Sequence, residues 1–357
     1  MSTHILTFIN HYNYGSVLQA YALNRFINSV GIYSDTIYYD LSFGENIPLK
    51  TKIKILLTKT LFFFPTYNRK CKFAKFIRER IKLLDGGKVY KSYNDLEQRC
   101  WSEDDVFIVG SDQCWCELNR DEFFLDFVYK KKKIAYGVSM GDCLLEQETI
   151  DEIRKKTIDF FAISVREQYH QKQFGNTVSL CIDPVFLLSS KEWINIANIK
   201  ASFKIPSEYI FVYTIYGSSQ MNAFLKNLSK ETGLPILLVG GVRKKVNLPK
   251  VRFIRDAGLE EWLYLIKNAK FVVTDSFHAT AFSILFEKNI FPFSKGKISR
   301  IDNLLSYFDL EKIAIHPDTE PSMNIYIDYC SVKQRIDLND GIVNFSQKWL
   351  IDKIQKI

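Results

Sequence analysis

Phe271-Val272-Val273-Thr274-Asp275-Ser276-Phe277-His278-Ala279-Thr280-Ala281-Phe282-Ser283 reads as a buried strand, a tight polar turn and a helix that starts near His278. Such a joint brings an imidazole, a hydroxyl and a carboxylate to the carboxyl end of a strand. That is the edge at which open α/β sheets take their ligands. Helix N-termini add unsatisfied N–H groups and the positive end of the helix dipole, so the joint favours an anion. A histidine placed there can also move a proton near neutral pH. The pattern points to an enzyme acting on an anionic substrate.

The same alternation recurs on both sides of this joint. Residues 5–9 read as a short strand and 15–30 as an amphipathic helix with Leu18, Tyr21, Ala22 and Phe26 at helical spacing. Gly31 closes that helix, and 32–39 make a second strand. Further strands are expected at 106–109, 133–138, 161–165 and 178–182, with a helix over 145–159. Asp183-Pro184 ends this block, because the residue before a proline leaves helical geometry. After a mixed connector at 189–206 the pattern restarts. Strands are expected at 209–215, 235–239 and 271–274, helices at 219–232, 258–269 and 278–288, and a last amphipathic helix at 339–357. Strands alternating with helices imply parallel sheets. The expected fold class is therefore α/β, with two Rossmann-like doubly wound domains facing a cleft. The N-terminal domain would span 1–190 and the C-terminal domain 191–337, leaving a terminal helix, 338–357, able to pack back on the first.

At 357 residues the chain is long enough for two cores, and its 47% apolar share is that of a folded soluble protein. Rings make up 15% of residues; most must fill the cores, and the remainder offer flat surfaces of the kind that hold carbohydrate. The net charge of +8 calls for an anionic partner. The chain has no Arg-rich reading helix or RNP-like strand, so nucleic acid is excluded. The N-terminus has no basic and apolar leader, and no apolar run is long enough to span a bilayer. Seven scattered cysteines, an odd count, then read as reduced thiols in a cytoplasmic protein. One segment breaks the alternation. Residues 50–82 interleave Lys and Arg with Ile53, Ile55, Leu56, Leu57, Leu61, Phe62, Phe63 and Phe64. They read as a basic helical insertion, either two helices with solvated lysines or a segment lying on an anionic membrane face.

Three more polar turns follow strands. Asn13-Tyr14-Gly15-Ser16 opens the first helix where a phosphate-binding turn would sit, but without the three glycines of a dinucleotide fingerprint. Asn13 and Ser16 either hold a ligand or cap the helix. Gly110-Ser111-Asp112-Gln113 offers a base and sugar-binding groups, or a plain Asp turn. Ser164-Val165-Arg166-Glu167 brings an Arg that either clamps a carboxylate or phosphate, or pairs with an acid at the surface. Arg300, after Lys295-Gly296-Lys297, is a second anion clamp or a solvated helix start. Cys114 and Cys116 have no partner pair at zinc-like spacing, so no metal is expected.

Taken in order, Asn13-Tyr14-Gly15-Ser16-Val17-Leu18-Gln19-Ala20-Tyr21-Ala22-Leu23, Gly110-Ser111-Asp112-Gln113-x-Trp115, Ser164-Val165-Arg166-Glu167, Asp183-Pro184 and Thr274-Asp275-Ser276-Phe277-His278 with Phe282-Ser283 resemble the signatures of the polysaccharide pyruvyl transferase family. The matches run over about residues 5–310. Ala279 stands where the family usually has Gly, and Cys116 where Asn often follows the Trp.

The resemblance implies a GT-B type fold and an enzyme that uses phosphoenolpyruvate, without cofactor or metal, to set a pyruvate ketal across two hydroxyls of a glycan sugar in surface or capsular polysaccharide biosynthesis. It implies His278 and Arg166 at the donor; from their positions at helix starts and polar turns, Ser276, Arg300, Gly15 and Ser16 are expected as further donor contacts. Asp112 would activate or orient an acceptor hydroxyl, and Asn13 and Gln113 would bind the acceptor. A lipid-linked oligosaccharide acceptor would fit segment 50–82 and peripheral contact with the inner membrane face. The rival expectations are a GT-B glycosyltransferase using a nucleotide sugar and a non-catalytic glycan-binding protein. Acceptor sugar, ketal stereochemistry and oligomeric state are open at this level.

Overall fold

The structure is a computed structural model that describes residues 2–9, 13–40, 63–128, 132–199, 201–240, 248, 251–296, 298–323, 327 and 341–357. The chain divides into two compact units, one of residues 1–44, 76–188 and 333–357, the other of 45–75 and 189–332.

The first unit contains β1 (Thr3–Leu6), α1 (Tyr14–Ser29), β2 (Ser34–Thr36) and β3 (Tyr38–Tyr39). α2 (Phe63–Arg80) runs from residues of the second unit into the first, which continues with β4 (Val89–Tyr90), α3 (Tyr93–Glu97), β5 (Val106–Val109), β6 (Lys132–Val138), α4 (Gln147–Lys156), β7 (Ala162–Val165), α5 (Gln168–Phe174) and β8 (Ser179–Leu180). Its main sheet has the order β2-β1-β5-β6-β7-β8, and its pairings are parallel. Val106, Phe107, Ile108 and Val109 of the central β5 are all fully buried, which explains a continuous apolar run where a one-faced strand would alternate. α1 differs from the amphipathic expectation. Val17, Leu18, Ala20, Ala22 and Leu23 are all at zero exposure, because the helix lies between β2 and the segment Pro184–Leu187.

Residues 32–39 were expected as one strand and form two. Ile37 N donates to Ile5 O at 2.8 Å, after which the chain leaves β1 and Tyr38–Tyr39 pairs with β4. Within the basic insertion, residues 63–80 form a single helix; 50–62 lie outside the described residues. Among the described residues no helix is long and apolar enough to cross a membrane.

The second unit contains α6 (Ser190–Ile196), β9 (Ile210–Tyr213), α7 (Ser219–Thr232), β10 (Ile236–Val239), β11 (Val251–Ile254), α8 (Leu259–Lys267), β12 (Phe271–Thr274), α9 (Phe277–Leu285), β13 (Asn289–Pro292) and α10 (Arg300–Ser306). The sheet order is β11-β10-β9-β12-β13, again with parallel pairings. α6 occupies part of the expected connector, and a capping box starts it: Glu192 N donates to Ser189 Oγ and Ser189 N to the Glu192 carboxylate. Aromatic rings fill this core. Trp262 lies within 5.7 Å of Phe282, and Trp193 meets Phe282 edge-on at 4.8 Å.

The terminal helix α11 (Ile342–Lys356) belongs to the first unit. Trp349 Nε1 donates to Ser179 Oγ at 3.0 Å, Ile182 N to Ser346 Oγ at 2.9 Å, and Gln347 Nε2 to Leu187 O at 3.0 Å.

Candidate functional site

In the first sheet the strand order reverses between β1 and β5, so the loops leaving their carboxyl ends open onto the same crevice. Asn13 caps α1, its side-chain oxygen accepting from Gly15 N at 3.0 Å. Gly15 and Ser16 are buried in the first turn. Ser16 Oγ donates to Asp112 Oδ2 at 2.6 Å. Asp112 has φ +60°, in the left-handed region, and follows a cis peptide bond between Gly110 and Ser111. A Cβ at Gly110 would stand 2.2 Å from Tyr136 O, so the turn closes onto β6 only with glycine there. Gln19 fixes the turn from α1. Its Oε1 accepts from Ser111 N at 3.1 Å, and its Nε2 donates to Thr7 Oγ1 and Ser16 O at 2.8 and 2.9 Å. Cys114 Sγ donates to Ser111 O at 2.9 Å, and burial pushes its thiol pKa well up, so it packs as an inert thiol. Gln113 is half-buried, with Nε2 3.2 Å from Cys116 Sγ.

Arg166 follows β7 and is 1% exposed. Its Nε donates to Glu167 Oε1 at 3.0 Å and its Nη1 to Asp183 Oδ2 at 2.5 Å, while Nη2 lies 4.0 Å from Asp112 Oδ1. Burial alone would lower the guanidinium pKa; the carboxylates of Glu167, Asp183 and Asp112 outweigh it and raise it. For Glu167, burial pushes the carboxyl up, and the Arg166 charge with bonds from His170 and Ser139 brings it below its usual range. His170 lies with Nδ1 3.3 Å from Glu167 Oε2 and Nε2 2.8 Å from Cys143 O. Arg166 is thus neither a surface residue nor a clamp facing only ligand. Three protein carboxylates surround one guanidinium.

The second sheet reverses between β9 and β12. Asp275, directly after β12, gathers the loop that leaves β9. Its Oδ2 accepts from Thr214 Oγ1, Tyr216 N and Gly217 N at 2.8, 3.0 and 2.8 Å, and its Oδ1 from Ile215 N at 2.6 Å. Thr274 Oγ1 accepts from Ser276 N at 3.0 Å. Ser276 caps α9, with its Oγ 3.5 Å from Ala279 N. His278 lies in the first turn, 6% exposed and edge-on to Phe277. Lys295, beyond β13, sets its Nζ 3.6 Å from the centroid of the Tyr216 ring, beyond β9. β12, whose turn carries Ser276 and His278, lies between those strands. Tyr216 is 55% exposed. Arg300 opens α10, after the same strand as Lys295.

The structure therefore brings Asn13, Gly15, Ser16, Asp112, Gln113 and Arg166 to the carboxyl edge of the first sheet. Ser276, His278 and Arg300 stand at that of the second. Reading the sequence placed the Asp275 carboxylate at the joint without a role, gave none to Gln19 and Lys295, and left open which acids meet Arg166. Asp275 carried a signal, an acid immediately after a buried strand; Gln19 and Lys295 act through residues distant in sequence and carried none. Among the described residues no three His, Cys, Asp or Glu side chains are disposed to hold a metal ion.

The sequence profile of the polysaccharide pyruvyl transferase family matches residues 13–295, most of the chain. No curated protein matches the sequence. Among solved structures, the UDP-GlcNAc 2-epimerase of Methanocaldococcus jannaschii in complex with UDP-GlcNAc and UDP is similar, with TM-score 0.58 at 10% identity over 100% of this chain and 99% of that one. The UDP-GlcNAc 2-epimerase of Neisseria meningitidis bound to UDP-GlcNAc has TM-score 0.53 at 11% identity over 100% of both chains. Arabidopsis thaliana UGT89C1 complexed with quercetin has TM-score 0.52 at 8% identity over 99% of both. At these identities the likeness is one of fold, GT-B-like with two Rossmann-like domains. The chain belongs to the polysaccharide pyruvyl transferase family.

Proposed function

We propose that this member of the family transfers the pyruvyl group of phosphoenolpyruvate to two hydroxyls of a glycan sugar and closes a ketal. The observation that carries the reading is the Lys295 ammonium, 3.6 Å from the centroid of the Tyr216 ring, joining the chain beyond β13 to that beyond β9, the strands that flank β12 at the switch point of the second sheet. The donor has a carboxylate and a phosphate that is mostly doubly charged at neutral pH, its second pKa being about 6. Lys295, Arg300, the Ser276 hydroxyl and the start of α9 supply what such an anion needs without a metal. His278, in that first turn, is assigned proton transfer to the donor or stabilisation of the leaving phosphate.

The first-sheet edge is assigned a different part. Around one Arg166 guanidinium stand Asp112, Glu167 and Asp183, an excess of negative charge that suits neutral hydroxyls better than a multiply charged anion. We therefore give Asp112, with Asn13 and Gln113, to sugar hydroxyls. Arg166, Gly15 and Ser16, expected at the donor, become residues that fix Asp112. A lipid-linked acceptor at an anionic inner membrane face belongs to the same proposal. It rests on the basic residues of α2, and liposomes with anionic lipid should float the protein at low salt.

The deciding experiment incubates the chain with phosphoenolpyruvate and candidate glycans. Glycan-dependent release of phosphate, with a glycan heavier by one pyruvate less water, is expected. Phosphate release absent with every glycan, or transfer from a nucleotide sugar instead, overturns the reading.

A further inference from the structure

We propose that His316, held by Asp302, is a second proton carrier of this reaction and takes the proton of an acceptor hydroxyl; the inference rests on the function proposed above. The reaction moves two protons. Each of two hydroxyls gives up one as its oxygen bonds to the central carbon of the donor. One proton ends on the donor's methylene carbon, which becomes a methyl group. The other ends on the phosphate, which leaves with the electron pair of the broken C–O bond. Phosphoenolpyruvate and diol thus become ketal and hydrogen phosphate, with no oxidant or reductant needed. His278 can serve one of these transfers, and a second base beside it can serve the other while Asp112 orients the hydroxyls.

Of the five histidines of the chain, two fall in the second unit, His278 and His316. His316 Nε2 lies 2.6 Å from Asp302 Oδ1. The carboxylate is itself immobilised: Oδ2 accepts from Ser294 Oγ and from Ser299 Oγ, the latter at 2.5 Å, and Asp302 N donates to Ser299 Oγ at 3.1 Å. Asp302 is largely enclosed, at 13% side-chain exposure, while the imidazole keeps 29%. A carboxylate on Nε2 holds the hydrogen on that nitrogen and leaves the Nδ1 lone pair as the base. No described residue bonds to Nδ1. The position also fits. Phe293 pairs in parallel with Ile315, which extends the second sheet past β13, and His316 is the next residue, at the carboxyl edge. Two strand spacings, about 10 Å, separate Ile315 from β12, whose turn holds Ser276 and His278.

The competing role is structural, since Asp302 also sits in the first turn of α10 and Gln220 Nε2 holds the turn at His316 O. The test assays the full chain with phosphoenolpyruvate and the methyl glycosides of galactose, glucose and mannose, following phosphate release. In His316→Ala, kcat should fall by about a hundredfold or more, with KM for phosphoenolpyruvate within about threefold and the melting temperature kept. Added imidazole should restore at least about tenfold of the loss, which no structural role would allow. His316→Gln, which can still donate to Asp302 but cannot take a proton, should fold and show the same loss; it stands in if the alanine variant does not fold. A kcat within about threefold of wild type, or a loss that imidazole leaves untouched, overturns the assignment. Wild-type protein that releases no phosphate overturns the proposed function and this inference together; active wild type with active variants overturns only the inference.

Discussion

Ser16 Oγ and Asp112 Oδ2 stand 2.6 Å apart, joining the start of α1 to the turn beyond β5 across the point where the first sheet reverses its order. The hydroxyl fixes the carboxylate that Arg166 faces from the other side. Ser16→Ala should therefore cost about 1.5–3 kcal/mol of stability, the worth of one hydrogen bond to a charged group. It should also raise KM for the glycan severalfold while leaving KM for phosphoenolpyruvate unchanged. Chemical denaturation and steady-state kinetics check the two parts; a change confined to the donor KM would remove Asp112 from the acceptor side.

His278→Ala should lower kcat by about a hundredfold or more, the loss typical of one positioned group acting on developing charge, about 3–4 kcal/mol. Circular dichroism should show the fold intact. Near-normal turnover in this variant retires the assignment.

Lys295→Gln keeps length and removes charge. KM for phosphoenolpyruvate should rise about tenfold, a loss of about 1.4 kcal/mol, and the effect should shrink at high salt. Tyr216→Ala should reproduce part of it, because the ring holds the ammonium in place. Isothermal titration of donor into both variants reads the result; unchanged affinity in Lys295→Gln would move the donor elsewhere.

Asp275→Ala removes an acceptor from four donors at once. The residues 214–217 should lose hydrogen-exchange protection, and stability should drop by about 3 kcal/mol, more than the 1.5–3 kcal/mol of one charged hydrogen bond would require at its lower end. Asp275→Asn, which can still accept, should lose less. Equal losses in the two variants would mean that charge rather than bonding holds the loop.

Glu167 titrates in the folded protein below its ordinary 4.5, burial working against it and Arg166 prevailing. A carboxyl depressed on folding contributes stability above its unfolded pKa and loses it as pH falls through the folded value. Melting temperature should hold from neutrality down to about pH 4.5 and decline below, and Glu167→Gln should be less stable at neutral pH with a flatter acid limb. An identical acid limb in variant and wild type would exclude Glu167 as its source.

The strand Phe271–Thr274 and the helix Ser219–Thr232 were legible to the residue. The first is an unbroken apolar run between polar turns; the second has Ser218 as its cap and Gly233 in the left-handed region as its stop. β13 was missed because Glu287, at φ +54°, turns the chain with almost no linker and Pro292 ends the strand, which an edge position tolerates. The residues at the two switch points could be named because polar turns after buried strands announce them. Their electrostatics could not. Whether Arg166 meets a ligand or Asp183 depends on which strand ends lie side by side, and no local pattern encodes that. Lys295 over Tyr216 and Gln19 under Ser111 are contacts of the same non-local kind.

α11 closes over β8 from the far end of the chain, and that orders events at the ribosome. Ser179, Ile182 and Leu187 are translated long before Trp349, Ser346 and Gln347, the residues that bond them. The nascent first unit must wait, with that flank uncovered, until the whole second unit has been made. Chaperone dependence and aggregation during synthesis should therefore concentrate on the half of the protein that is born first and finished last.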